Sequence, residues 1–131
     1  MAGGAKAVSN GDELVKAVCS LAEDLKLETR QQFKVAKRIW GADRKIDIVI
    51  RQPGTGKTLG VECKFQDVGG TAEEKIPTTI QDISAWPIDG LVVFAGGGFT
   101  ANMRSFLIST GKAVAFEDLE PWLRLYFGLP L

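Results

Sequence analysis

Three side chains near the middle of the chain could do chemistry together. They are Asp47, then Glu62 and Lys64 on either side of Cys63. An aspartate and a glutamate that reach one point can hold a divalent cation through oxygen. The competing reading is a salt-bridged solvent face of a hairpin, in which cross-strand charge pairs are worth roughly 0.2–1 kcal/mol each. Which applies depends on whether the surrounding chain puts the three on one face.

The stretch Arg44 to Gln66 reads as two extended runs joined by a turn. In the first, Ile46, Ile48 and Ile50 alternate with Asp47, Val49 and Arg51. In the second, Val61, Cys63 and Phe65 alternate with Glu62, Lys64 and Gln66. Side chains alternate faces along a strand, so each run has one apolar face and one charged face. Pro53-Gly54-Thr55-Gly56 between them is turn chemistry, which implies an antiparallel hairpin. If the apolar faces share one core, Asp47, Glu62 and Lys64 share the opposite face.

An aspartate followed about fifteen residues later by Glu-x-Lys resembles the PD-(D/E)XK nuclease superfamily, with Lys45-Ile46-Asp47 standing where the name has Pro-Asp. The Glu62-Cys63-Lys64-Phe65-Gln66 run, followed by Gly70-Thr71-Ala72-Glu73-Glu74-Lys75, is similar to a segment of some restriction-type members. The resemblance implies an α/β fold of the restriction-endonuclease type, with a mixed sheet flanked by helices. It implies a small, single-domain member of the phage, restriction or resolvase type that hydrolyses DNA as an Mg²⁺- or Mn²⁺-dependent endonuclease. Asp47 and Glu62 would be metal ligands. Lys64 would orient or deprotonate the attacking water, or offset charge on the transition state. The alternative is a non-catalytic nucleic-acid-binding or assembly module that keeps the fold.

The same resemblance draws in further candidates. Many members add an acid from the first helix, and Glu13 is that candidate by position, although it also stands where a capping glutamate would stand; Glu23, Asp24 and Glu28 are weaker choices. Gln66, one step beyond Lys64 on the same face, would hydrogen-bond a water or the phosphate. Arg44, Lys57 and Lys75 are the candidate nucleic-acid contacts, with Lys75 near a helix N-terminus.

Composition bounds these expectations. The 131 residues suit one domain, 45% hydrophobic and 24% charged. No apolar run approaches the roughly 20 residues that span a bilayer. Met1 to Lys6 has no apolar core of signal-peptide length, so the expected location is intracellular, in the cytoplasm, including a host's cytoplasm for a phage enzyme. Cys19 and Cys63 read as reduced, buried thiols. There is no histidine, which removes the usual zinc sites and every histidine-based triad. Net charge is zero, without the basic excess common in nucleic-acid binders, but Lys26 to Arg51 carries eight basic residues against three acidic ones.

In chain order, residues 1–9 are expected to be frayed. Asn10 caps a helix ending near Leu25. Gln32 to Trp40 reads as a strand, and the hairpin follows. Thr71-Ala72-Glu73-Glu74 is a capping box for a helix with a stripe of Ala72, Ile76, Ile80 and Ile83, kinked or restarted at Pro77. Leu91 to Ala95 suits a strand buried on both faces. Thr100 to Thr110 is a helix with Met103, Phe106 and Leu107 inward. Ala113 to Phe116 is a strand, and Asp118 caps a last helix ending at Gly128.

Two decoys and an assembly expectation complete the reading. Gly54-Thr55-Gly56-Lys57-Thr58 is not an NTP loop, because position 51 is Arg51 and the chain enters a strand after Lys57. Trp40, Trp86 and Trp122 default to packing. Cutting two strands with one site per chain calls for a homodimer or higher oligomer. The apolar tail of Trp122, Leu125, Tyr126, Phe127, Leu129 and Leu131 is its expected contact surface.

Overall fold

A computed structural model describes residues 8–37, 43–67 and 76–131. Helix α1 spans Gly11–Asp24, and Asn10 opens it as expected, its Oδ1 accepting the Glu13 N–H at 2.8 Å. Leu14, Val18 and Leu21 recur at helical spacing and are buried. Lys26, at φ 66, then turns the chain directly into β1, Glu28–Lys37. That strand begins four residues before the expected Gln32, because a left-handed residue reverses direction without a connecting loop. Arg38 to Trp40 lie outside the described residues.

Strands β2 (Asp43–Arg51), β3 (Thr58–Phe65), β4 (Asp89–Ala95) and β5 (Ala113–Ala115) complete one five-stranded sheet in sequential order. The first two pairings are antiparallel and the last two parallel. Helices α2 (Ile76–Ser84), α3 (Ala101–Ser109) and α4 (Leu119–Phe127) follow β3, β4 and β5. The expected element order holds throughout. Pro77 sits in the first turn of α2, where its missing N–H costs nothing, which agrees with the expected helix restart there. The Thr71 capping box and Ala72 lie outside the described residues.

Two apolar cores sandwich the sheet. Ile48, Ile50, Val61, Leu91 and Val93 meet α1 and α4 on one face. Val92, Phe94, Ala113 and Ala115 meet α2 and α3 on the other, through Ile83 and Leu107. β4 contributes fully buried residues to both, which is why its sequence lacks alternation. On the second face Trp86 lies across Gly60 and Gly90, neighbours in register; a Cβ on Gly60 would stand 2.7 Å from the indole. Only glycine admits the ring there.

Alternation fails at one place on β2. Ile46 belongs to the α2/α3 core, not to the core of Ile48 and Ile50. The change of face falls at Asp47, just past the last pair with β3, Ile48↔Val61. Phe106 also departs from expectation, being 44% exposed while Leu107 is buried.

The C-terminal tail is largely consumed within the fold. A 3-10 turn, Phe116–Asp118, replaces the last expected residue of β5, and Asp118 makes no side-chain cap bond to α4. Phe127 is buried. The Tyr126 hydroxyl donates to Asp89 Oδ2 at 2.8 Å and to the Thr58 carbonyl at 3.2 Å. Burial, and then the hydrogen bond and charge of Asp89, push its pKa up to about 12. From the β2–β3 turn, Lys57 Nζ donates to the Tyr126 carbonyl and sits 4.3 Å over its ring, and Gln52 Nε2 donates to the Phe127 carbonyl at 3.1 Å. Leu125 and Leu131 remain strongly exposed. Among the described residues no helix is long and apolar enough to cross a membrane.

Candidate active site

Asp47 occupies the point where β2 parts from β3, while its register with β1 runs on past it. Toward β3, the pairs Ile50↔Leu59, Val49↔Gly60 and Ile48↔Val61 form and the ladder then stops. The Cys63 N–H donates instead to Asp47 Oδ2, at 2.9 Å. Toward β1, Gln31↔Ile48 and Phe33↔Ile46 pair, but the intervening Gln32, at φ 52, does not pair with Asp47. A carboxylate thus stands in for a backbone carbonyl, satisfying an amide that the divergence of the strands would strand.

Glu62 and Lys64 project to the α2/α3 face, since their register neighbours Val92 and Phe94 belong to that core. Lys64 Nζ lies 4.0 Å from Glu62 Oε2, and the two side chains are 26% and 21% exposed. Glu62 Oε1 is buried and accepts no hydrogen bond among the described residues. Its carboxyl pKa is pushed up from 4.5 to about 7. Burial is the largest cause and the Asp47 carboxylate the second. Lys64 and the Asp47 backbone N–H pull the other way, and Asp82 of α2 adds a smaller push upward. Sequence reading missed Asp82; only the β3-α2-β4 crossover brings it toward Glu62. The Cys63 thiol between them is raised too, chiefly by burial and then by Asp47 and Glu62, which disfavours its thiolate.

This donor set fits a hard divalent cation. A buried carboxylate oxygen without a donor is costly, and the charge of Asp47 beside it makes matters worse. A cation between them would relieve both. Among the described residues no third aspartate, glutamate or cysteine completes a larger group. The remaining ligands would therefore be water and substrate oxygens, as suits Mg²⁺.

The other candidates are placed elsewhere. Glu13 is exposed, and its Oε1 accepts from the Ser9 N–H at 2.9 Å and the Ser9 hydroxyl at 2.6 Å, so it serves the start of α1. Glu23 accepts from the Thr29 hydroxyl, and Glu28 pairs with Arg51 at 3.1 Å. Lys57 is spent on Tyr126, and about seven residues of β3 at ~3.3 Å each separate it from Lys64. The Arg44 side chain and all of Lys75 lie outside what is described.

Gln66 is 5% exposed and faces inward. Its Nε2 donates to the Gly98 carbonyl at 2.7 Å, while its own carbonyl accepts the Gly98 N–H at 3.0 Å. Cβ atoms on Gly96 and Gly98 would stand only 2.2 Å from the Gln66 carbonyl oxygen and 2.0 Å from that of Asp67. The Gly96-Gly97-Gly98 turn therefore packs backbone to backbone against the end of β3. It fixes the start of α3 beside the site, a use for the triplet that spacing alone did not reveal.

Comparison with known proteins agrees with this geometry. The chain is similar to the crystal structure of a protein of unknown function, AF1548, with a TM-score of 0.54 and 17% identity, over 78% of this chain and 56% of that one. That likeness speaks for the fold, and the chain spans little more than half the length of that protein. No curated protein matches. The PD-(D/E)XK nuclease superfamily domain matches residues 6–121, a span holding Asp47, Glu62, Lys64 and the whole mixed sheet. The fold is restriction-endonuclease-like, and the chain belongs to the PD-(D/E)XK nuclease superfamily.

Proposed function

We propose that this protein is a DNA endonuclease dependent on Mg²⁺ or Mn²⁺, with Asp47 and Glu62 as the metal ligands. The observation that carries the reading is the nearness of Asp47 to a Glu62 whose buried Oε1 has no donor among the described residues. A divalent cation held there supplies Lewis acidity toward a phosphate oxygen and lowers the pKa of a water. Asp47 Oδ2 is anchored by the Cys63 amide, which orients the carboxylate without a flexible search. Lys64 Nζ, beside Glu62, orients the attacking water or meets charge building on the phosphate. Gln66 braces the glycine turn beside the site. Glu13 has no part in the proposed ligand set.

Incubation with supercoiled, linear, single-stranded and branched DNA, in Mg²⁺, Mn²⁺, Ca²⁺ or EDTA, tests this directly. Cleavage is expected in Mg²⁺ and Mn²⁺, with binding but little cleavage in Ca²⁺, whose looser coordination positions a water poorly. Binding without cleavage in every metal would favour the non-catalytic assembly module. Loss of both would exclude DNA as the substrate.

One site per chain and two strands to cut also lead us to propose a homodimer as the working assembly. The tail offers it less surface than the sequence implied, since Tyr126 and Phe127 serve the fold while Leu125 and Leu131 face outward. Light scattering should give twice the monomer mass in the presence of duplex DNA. A monomer at high micromolar concentration would refute the assembly.

A further inference from the structure

Arg104 is left over from the chemistry above, yet it stands next to it. Lys64 and Phe94 are neighbours in register on parallel strands, so their side chains leave the same face about 5 Å apart. The Arg104 guanidinium lies over the Phe94 ring, 5.2 Å from its centroid. A second cation is thereby placed one strand over from Lys64, at the carboxyl ends of β3 and β4, where open α/β sheets bind ligands. The position is built. The Arg104 N–H donates to the Thr100 carbonyl in the first turn of α3, and Gln66 holds Gly98, two residues before the Thr100 cap.

The guanidinium is under-used where it sits. Its ion pair with Glu117 runs through one nitrogen, Nη2, at 3.2 Å, and the partner is 62% exposed. A pair of that kind is worth at most about 1 kcal/mol. Nε and Nη1 carry no further hydrogen bond among the described residues, while the aromatic face holds the planar fork in place, a poise suited to two-pronged phosphate recognition.

We infer that Arg104 is a substrate-binding residue that clamps a backbone phosphate next to the one addressed by Lys64, and that Glu117 competes for it when no nucleic acid is bound. The inference rests on the proposed reading of the Asp47–Glu62 site as one that acts on DNA. A merely structural Arg104 would be a strut between α3 and the turn before α4, and the two roles predict opposite signs for Glu117.

The test is binding of a short labelled DNA duplex in Ca²⁺, as a function of salt. Arg104→Ala should weaken binding about tenfold, the scale of one charge-assisted hydrogen-bonding group. It should also flatten the slope of log K against log[salt] by about 0.9, the release of one counterion. Arg104→Lys should keep the slope. Glu117→Ala should tighten binding, because it frees the guanidinium. The inference is overturned if Arg104→Ala leaves the slope unchanged while Lys64→Ala lowers it, and equally if Glu117→Ala weakens binding as Arg104→Ala does. A wild-type protein that neither binds nor cuts DNA would remove the reading beneath it as well.

Discussion

Asp47→Asn is expected to abolish most cleavage while leaving the fold in place. The side-chain oxygen of asparagine can still accept the Cys63 N–H that Asp47 Oδ2 now takes at 2.9 Å, so the gap between β2 and β3 keeps its shape. What changes is charge: one of the two proposed oxygen ligands loses its negative charge, and an NH₂ donor faces the site. Turnover in saturating Mg²⁺ should fall by at least ~10²-fold, the scale for one positioned catalytic group. Asp47→Ala makes the contrast, because it also leaves a half-buried amide without an acceptor, at about 1–3 kcal/mol. Single-turnover rates alongside thermal melts distinguish the two variants. An Asp47→Asn protein that melts like wild type and cuts at the wild-type rate would end the assignment of Asp47 as a metal ligand.

The second large effect is on stability, and it depends on pH. Glu62 has its carboxyl raised from 4.5 to about 7 in the folded chain. An acid raised by folding is destabilising when ionised, so its sign is opposite to that of a salt-bridged carboxylate. Below pH 4.5 the penalty is absent; it grows as pH rises toward about 7 and is complete above that. The full gap corresponds to about 3 kcal/mol. Glu62→Gln removes the ionisation, so in EDTA at pH 8 it should melt higher than wild type by about 10 °C for a domain of this size. At pH 4.5 the two should converge. Added Mg²⁺ should raise the wild-type melting temperature at pH 8 much more than that of Glu62→Gln, because only the former offers the anion. Equal melting temperatures for both proteins at both pH values would show that Glu62 is not the strained group described here.

The elements were legible because periodicity follows from geometry. The 3.6-residue stripe of Leu14, Val18 and Leu21, the unbroken apolar run of β4 and Gly128 at φ 69 each correspond to a local preference. The joint placement of Glu62 and Lys64 was legible for the same reason, as i and i+2 on one strand. The failures share a different character. Ile46 joins the other core just where β2 parts from β3, a divergence that no pattern within β2 announces. Gln66 turns inward because Gly96 and Gly98, thirty residues on, have no side chains to keep it out. Lys57 is exposed at the turn, as its surroundings in the sequence imply, but only the fold places Tyr126 beneath it. Asp82 and Arg104 acquire neighbours only when the crossovers after β3 and β4 close. Pattern along the chain predicts which way a side chain leaves the backbone, but not what will be there to meet it.

The pin that joins the β2–β3 turn to α4 bears on the lifetime of the folded state. Gln52 and Phe127 are separated by 75 residues, and Lys57 and Tyr126 by 69. Closing loops of that length is entropically unfavourable and is rewarded only once the sheet between them exists. Contacts that form after the rate-limiting step leave the speed of folding almost untouched and act on the rate of escape instead. The bonds from Gln52, Lys57 and Tyr126 therefore behave as a latch. They set how long a folded molecule persists against proteolysis and heat, while having little say in how quickly it first arises.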